Sequence, residues 1–149
     1  MEFLLTSTSR KVEKQIPNAV IKKYKKGDTM QTIAKFLKIS KEQFINDFKN
    51  TLDNYDESQI ENIYESIKLP KRATIGSAGY DFYTPINFTL NPQETINIPT
   101  GIRVKINEGW FLAIFPRSGL GFKYRLQLNN TVGIIDSDYF NSDNEGHIF

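Results

Sequence analysis

Glycine and proline divide this 149-residue chain unevenly: eight of the nine glycines and four of the six prolines lie beyond Pro70. A stretch punctuated that often cannot sustain long helices, because each such residue weakens or stops the backbone ladder. It predicts short strands joined by turns: Gly79 to Tyr83, Phe88 to Leu90, Glu94 to Ile98, Gly101 to Ile106, Trp110 to Phe115, Leu126 to Asn129, Gly133 to Ile135 and Gly146 to Phe149. Pro92, Pro99 and Asn107-Glu108-Gly109 mark turns between them. Many short strands at this spacing point to a mainly β fold, a sandwich, jelly roll or barrel.

Before Lys68-Leu69-Pro70 the pattern is helical. Ser40 with Gln43, and Asp56 with Gln59, have the spacing of capping boxes, and Ile39 and Phe44 stand where a hydrophobic staple would close. Phe44, Phe48 and Leu52 recur on one face; so do Ile60, Ile63, Tyr64 and Ile67. A helical hairpin is therefore expected from about Lys41 to Ile67. Met30 to Ile39 fits either a helix or a strand. Residues 1–29 read as an N-terminal extension with a short helix from Ala19 to Lys26 stopped by Gly27, and no role is legible in them. The expected domain runs over residues 30–149.

Composition excludes several chemistries. With no cysteine there is no disulfide, thiolate nucleophile or Cys-based zinc site, and one histidine, His147, cannot build a multi-histidine metal site within one chain. Catalysis has to run on Asp, Glu, Ser, Tyr, Arg, Lys and backbone. The formal net charge of +2 lacks the basic surplus of a nucleic-acid or anionic-lipid binder. The apolar run Phe3-Leu4-Leu5 is too short for a signal peptide or membrane span, so a cytoplasmic location is expected.

Three segments of the β half can carry chemistry. In Ser77-Ala78-Gly79-Tyr80-Asp81-Phe82-Tyr83 a lone carboxylate sits inside an apolar strand; capping a turn or pairing with an arginine accounts for it equally well. Phe115-Pro116-Arg117-Ser118-Gly119-Leu120-Gly121 presents a guanidinium, a hydroxyl and close-approach glycines where a strand ends, which suits phosphate and also a plain solvated turn. Asn129 to Tyr139 runs from polar turn residues through Val132-Gly133-Ile134-Ile135 into Asp136, Asp138 and Tyr139. A carboxylate there can hold a water as general base and the tyrosine offers a ring face, although a hairpin with decorative acids has the same composition.

In order and content the three segments resemble the first three of five motifs of the homotrimeric dUTPase family: A-G-x-D, P-R-S-G and G-[VI]-I-D-x-D-Y. Thr131 to Tyr139 fits the third without departure, and Lys68 to Thr74 resembles the segment preceding the first. A strand at Ile33 to Ile39 followed by a helical hairpin is similar to a bacterial and phage subgroup with that insertion. The resemblance implies a dUTPase-like β-clip or jelly roll with an inserted helical hairpin, covering roughly residues 30–149.

It also implies an activity: hydrolysis of dUTP to dUMP and pyrophosphate by water attack on the α-phosphorus, with Mg²⁺ bound across the triphosphate. Asp136 would orient and deprotonate the water. Tyr139 would pack on the deoxyribose and leave no room for a 2′-hydroxyl. Asn130, Gly133 and Ile135 would read uracil, mostly through backbone groups; Arg117, Ser118 and the Gly119 amide would hold phosphate oxygens. Asp81 would act through water on the Mg²⁺ shell or at a subunit interface, not as a direct metal ligand, and Asp138 would be structural. A homotrimer is the expected assembly.

The chain departs from the family at its C-terminus, where the fourth and fifth motifs are absent after Phe149. The resulting expectation is an incomplete jelly roll that associates or partly unfolds alone, binding dUTP weakly with negligible hydrolysis. Residues 140–145 lengthen the loop after Tyr139 and should alter the rim of the site more than its chemistry. Other readings stay open: a dCTP deaminase-like enzyme of related fold, a non-catalytic nucleotide-binding remnant or regulator, and a helix-turn-helix or LysM-like module over Lys25 to Ser40. A helix from Thr29 to Lys38 packed on Lys41 to Leu52 would favour the module; a strand from Ile33 to Ile39 paired to the β half would favour the dUTPase reading.

Overall fold

The computed structural model of the protein describes residues 3–6 and 32–149. Its elements in chain order are β1 (Phe3–Thr6), β2 (Ala34–Lys38), α1 (Lys41–Thr51), α2 (Glu57–Ser66), β3 (Gly79–Phe82), β4 (Ile102–Ile106), β5 (Leu112–Pro116), α3 (Ser118–Tyr124), β6 (Gly133–Ile135) and a 3-10 turn, Asp138–Asn141. The expected helix from Ala19 to Lys26 lies outside the described residues.

Two antiparallel sheets form. One has the order β3-β1-β5-β6 and the other pairs β2 with β4. The ambiguous segment before Ile39 is thus a strand, with Ala34 opposite Ile106 and Lys38 opposite Ile102. Pairing to the β half is the outcome that opposes the helix-turn-helix and LysM readings. Tertiary hydrogen bonding decided between two periodicities that local pattern could not separate.

β4 alternates strictly, burying Ile102, Val104 and Ile106 while Arg103 and Lys105 point outward. β5 buries Leu112, Ala113 and Ile114 in succession, as a strand covered on both faces must. Phe36 of β2 joins the sheets, its ring 5.4 Å from Tyr80 and 5.6 Å from Phe82.

The hairpin forms where its capping signals stand. Asp56 accepts from the Gln59 amide and Gln59 returns the bond to Asp56 N–H, each at 2.8 Å. At Ser40 only half of the expected box forms. Its hydroxyl accepts from Gln43 N–H, but the Gln43 side chain turns to Asp47, and Glu145 takes the Ser40 N–H instead at 2.9 Å. Phe44, Phe48 and Ile60 are fully buried and join the sheets in one core. The contact needs Gly101 at the start of β4: its φ is +72°, and a Cβ there would lie 2.2 Å from Ile67 Cδ1 and 3.3 Å from the Phe44 ring.

Several expected strands are absent. Phe88 to Leu90, Glu94 to Ile98 and Leu126 to Asn129 are irregular, and Gly146 to Phe149 contributes one isolated bridge, Ile148 to Ile102. Around Asn91 the backbone spends its hydrogen bonds locally: Glu94 accepts from the Asn91 amide at 2.8 Å, and Gln93 takes φ +72°. Residues 118–124, expected to be a turn, wind into α3, which ends at Arg125 in the left-handed conformation. Phe3–Thr6, inside the stretch read as an extension, pairs with both β3 and β5. Among the described residues no helix is long and apolar enough to cross a membrane.

Candidate active site

β6 carries the third segment along the edge of the larger sheet, with Gly133 opposite Ile114 and Ile135 opposite Leu112. Gly133 suits this close pairing, since a Cβ there would lie 3.3 Å from Ile114 Cβ. The preceding turn is tight: Thr131 N–H reaches Leu128 O at 3.0 Å, and Val132 N–H reaches Asn130 O at 2.7 Å. Thr131 takes φ +66°, a conformation that a β-branched residue adopts only when its surroundings impose it.

Behind this turn is a cavity of about 190 Å³. Phe82, Ile114, Leu128 and Ile148 give it apolar walls; Thr100, Asn130 and His147 add polar groups, and Tyr139 closes one side. A more open depression, lined by Ile134, Ile135, Asp136, Asp138, Tyr139 and Ser142, adjoins it. Ile135 and Tyr139 border both. An apolar slot edged by backbone groups suits a flat polar ring, and an exposed carboxylate at the strand end can hold water beside it.

Tyr139 is fixed at its phenol: the hydroxyl donates to the His147 carbonyl at 2.9 Å and accepts from the Asn144 amide at 3.0 Å. Among the expected site residues, Asn130, Gly133, Ile135 and Tyr139 meet at the cavity, and Asp136 adjoins them. Arg117, Ser118, Gly119 and Asp81 line neither space. They form a second cluster where β5 passes into α3, with Arg117 Nη1 3.9 Å from the buried Asp81 carboxylate. That pairing is the plainer of the two roles expected for Asp81. It also holds a guanidinium beside two small residues, as phosphate binding requires.

For a divalent cation the donor set is spare. Among the described residues no three His, Cys, Asp or Glu side chains converge on one point.

The sequence gives no sign of His147's place in the site. Its imidazole is fully buried; Nε2 accepts from Gly101 N–H at 2.8 Å and Nδ1 lies 2.6 Å from Asp47 Oδ2. Since Gly101 N–H can only donate, Nε2 must be bare, so the ring is neutral and Nδ1–H donates to Asp47. Burial pulls its pKa below the ordinary 6.5, against the opposing pull of Asp47 and Glu145. Glu145 itself is held below the usual carboxylate range by its bonds to Ser40 and by Arg103.

Comparison with known proteins connects this site with a family. The family model described as dUTPase matches residues 65–143, more than half of the chain and all three segments. The protein is similar to the deoxyuridine 5′-triphosphate nucleotidohydrolase of Finegoldia magna, 53% identical over 73 residues, covering 48% of this chain and 51% of that protein. It is similar to the proteins of the same name from Dictyoglomus turgidum, 45% identical over 84 residues (54% and 57% covered), and Lactococcus lactis subsp. lactis, 44% identical over 84 residues (56% and 56%). The chain spans about half the length of the curated relatives it matches. No solved structure matches it. A cavity built by the third segment, a fold of short antiparallel strands and a family match across all three segments lead to one conclusion: this chain belongs to the dUTPase family.

Proposed function

We propose that this protein is a dUTP diphosphatase, cleaving dUTP to dUMP and pyrophosphate by water attack on the α-phosphorus. The observation that carries the reading is the course of residues 130–139. A turn and the short strand after it put Asn130, Gly133 and Ile135 on a cavity with apolar walls and Asp136 on the space next to it, with Tyr139 bordering both. Uracil would enter the cavity and meet backbone donors and acceptors, a pattern that cytosine, with those groups exchanged, cannot satisfy. Tyr139 would cover the sugar and crowd out a 2′-hydroxyl. Asp136 would hold the attacking water and accept its proton.

Arg117, Ser118 and the Gly119 amide would bind phosphate oxygens. Mg²⁺ on the triphosphate would neutralise its charge, with Asp81 contributing through water. Arg117, Ser118, Gly119 and Asp81 line neither the cavity nor the depression of their own chain, which is compatible with sites completed between subunits; the family resemblance makes that assembly a homotrimer. Such an enzyme would act in the cytoplasm, where nucleotides are made.

The test is pyrophosphate release from dUTP beside dTTP, dCTP and UTP, assayed on a form that carries all five family motifs, with dUTP alone expected to turn over. Asp136→Asn should slow it by about 10²- to 10⁴-fold, roughly 3 to 5 kcal/mol in the barrier, with little change in binding. An Asp136→Asn protein that kept most of its rate would refute the assignment. Conversion of dCTP to dUTP or dUMP with release of ammonia, at a comparable rate, would transfer the reading to a deaminase.

A further inference from the structure

The hairpin and the segment after Tyr139 are joined by three hydrogen bonds, and β4 adds further ties to that segment. Asp47 of α1 meets His147 at 2.6 Å; Ser40, the N-cap of α1, gives both its N–H and its hydroxyl to Glu145 at 2.9 and 2.6 Å. From β4, Arg103 donates to Phe140 O at 2.6 Å, approaches Glu145 Oε2 at 3.4 Å and lies 3.7 Å over the Phe140 ring. Residues 140–147 are thus a strap whose far side grips the hairpin and whose near side holds the Tyr139 phenol through His147 O and Asn144. Gly101 N–H fixes the other nitrogen of the same imidazole, so His147 can neither rotate nor withdraw without losing a buried bond.

We propose that Asp47 and His147 are positioning residues for Tyr139, so that the inserted hairpin sets how closely the tyrosine ring covers the sugar and thereby the preference for deoxyribose over ribose. The inference rests on the reading of Tyr139 as the residue that faces the sugar. In this scheme Asp47 does not touch substrate, and His147, although it lines the cavity, acts on the sugar only through its hold on Tyr139. Asp47 fixes the tautomer and orientation of His147, whose carbonyl aims the phenol. Only a side chain that accepts a hydrogen bond from Nδ1–H at this distance can do so, which Asn can and Leu cannot.

The experiment compares the whole chain with Asp47→Asn and Asp47→Leu, using dUMP and UMP as probes because neither is consumed. His147 is the sole histidine in the sequence, so its ring nitrogens are assigned in NMR without ambiguity. The expected result is a neutral ring protonated at Nδ1, in the parent and in Asp47→Asn. The dUMP-over-UMP preference should hold within about twofold in Asp47→Asn and fall by about tenfold in Asp47→Leu, with displaced Tyr139 ring resonances, the effect expected for one buried hydrogen bond to a charged group. A ring protonated at Nε2 in the parent, or an Asp47→Leu protein with parental preference and Tyr139 resonances, would overturn the proposal. If the parent bound neither nucleotide, the functional reading would fall, and the Tyr139 resonances of the two variants would still decide the positioning claim. Should Asp47→Leu not fold, Asp47→Ser is read in its place, being polar but too short to reach Nδ1.

Discussion

Gly146 should tolerate alanine far less well than Gly109 does. Gly101, Gly109 and Gly146 have similar left-handed φ values of 72°, 82° and 71° but different surroundings. Around Gly109 nothing lies within 4 Å of an added Cβ. Gly109→Ala therefore meets only backbone strain of about 1–2 kcal/mol, offset by about 0.4–1 kcal/mol because alanine leaves the unfolded chain less free, for a net loss near ~1 kcal/mol. At Gly146 the added carbon would lie 2.7 Å from Tyr139 O and 2.8 Å from Phe140 Cα. Those atoms are backbone and cannot rotate aside, so overpacking adds about 1–3 kcal/mol and the total loss reaches about 2–4 kcal/mol. Urea unfolding of both variants, fitted with a common slope, measures the difference. Since the obstructed atoms belong to Tyr139 and its neighbour, Gly146→Ala should also weaken dUMP binding while Gly109→Ala leaves it intact. Equal losses within about 0.5 kcal/mol would refute the reasoning, because φ would then account for everything and contact for nothing.

Phe48→Ala should be among the costliest core changes, about 3–5 kcal/mol by urea unfolding, because the ring is fully buried between Phe44 and Tyr55 with centroids at 5.4 and 5.1 Å. Asp56→Ala should cost about 1 kcal/mol as a simple lost cap, whereas Ser40→Ala should cost about 2 kcal/mol because Glu145 loses a partner as well; denaturation of the pair decides it. Acid should weaken the fold in two stages. Folding keeps His147 neutral below its ordinary pKa of 6.5, so the unfolded chain takes up that proton first. Stability is whole above 6.5 and falls below it by at most about 1.4 kcal/mol per pH unit, until the folded histidine protonates. Glu145, with its pKa lowered from an ordinary 4.5, adds a second loss as pH drops below that value. Urea midpoints that stayed flat between pH 7 and pH 5 would contradict the neutral buried ring.

What was legible in the sequence was what short-range chemistry decides. Asp56 and Gln59 meet three residues apart, so their box could be read and it formed; the stripe of Phe44 and Phe48 found its core for the same reason. The alternation of Ile102, Val104 and Ile106 marked β4 without ambiguity. Composition misled wherever a distant partner or a side-chain bond took over. Ile96 and Ile98 look like one face of a strand, yet Asn91, Pro92 and Glu94 close a local turn first. Ser118 to Tyr124 looked like loop because of its glycines, but Leu120 and Gly121 N–H both reach Arg117 O at 3.0 Å and begin a helix. Asn130 to Tyr139 stood out as one contiguous segment, and the structure lays it along the cavity and the depression. His147 did not: nothing local distinguishes a lone histidine whose partners are Asp47 and Gly101.

The ties between hairpin and strap also set an order of assembly. Each helix of the hairpin is capped by bonds three residues apart, so it can form as soon as those residues exist, whereas the bonds from Ser40 to Glu145 and from Asp47 to His147 close across 105 and 100 positions. Contacts that distant carry a loop-closure penalty and are expected to arrive late. Tyr139, held by the strap, would then be among the last groups to settle, and substitutions at Asp47 or Glu145 should hasten unfolding while scarcely slowing folding. The hairpin would be formed before the strap closed on it.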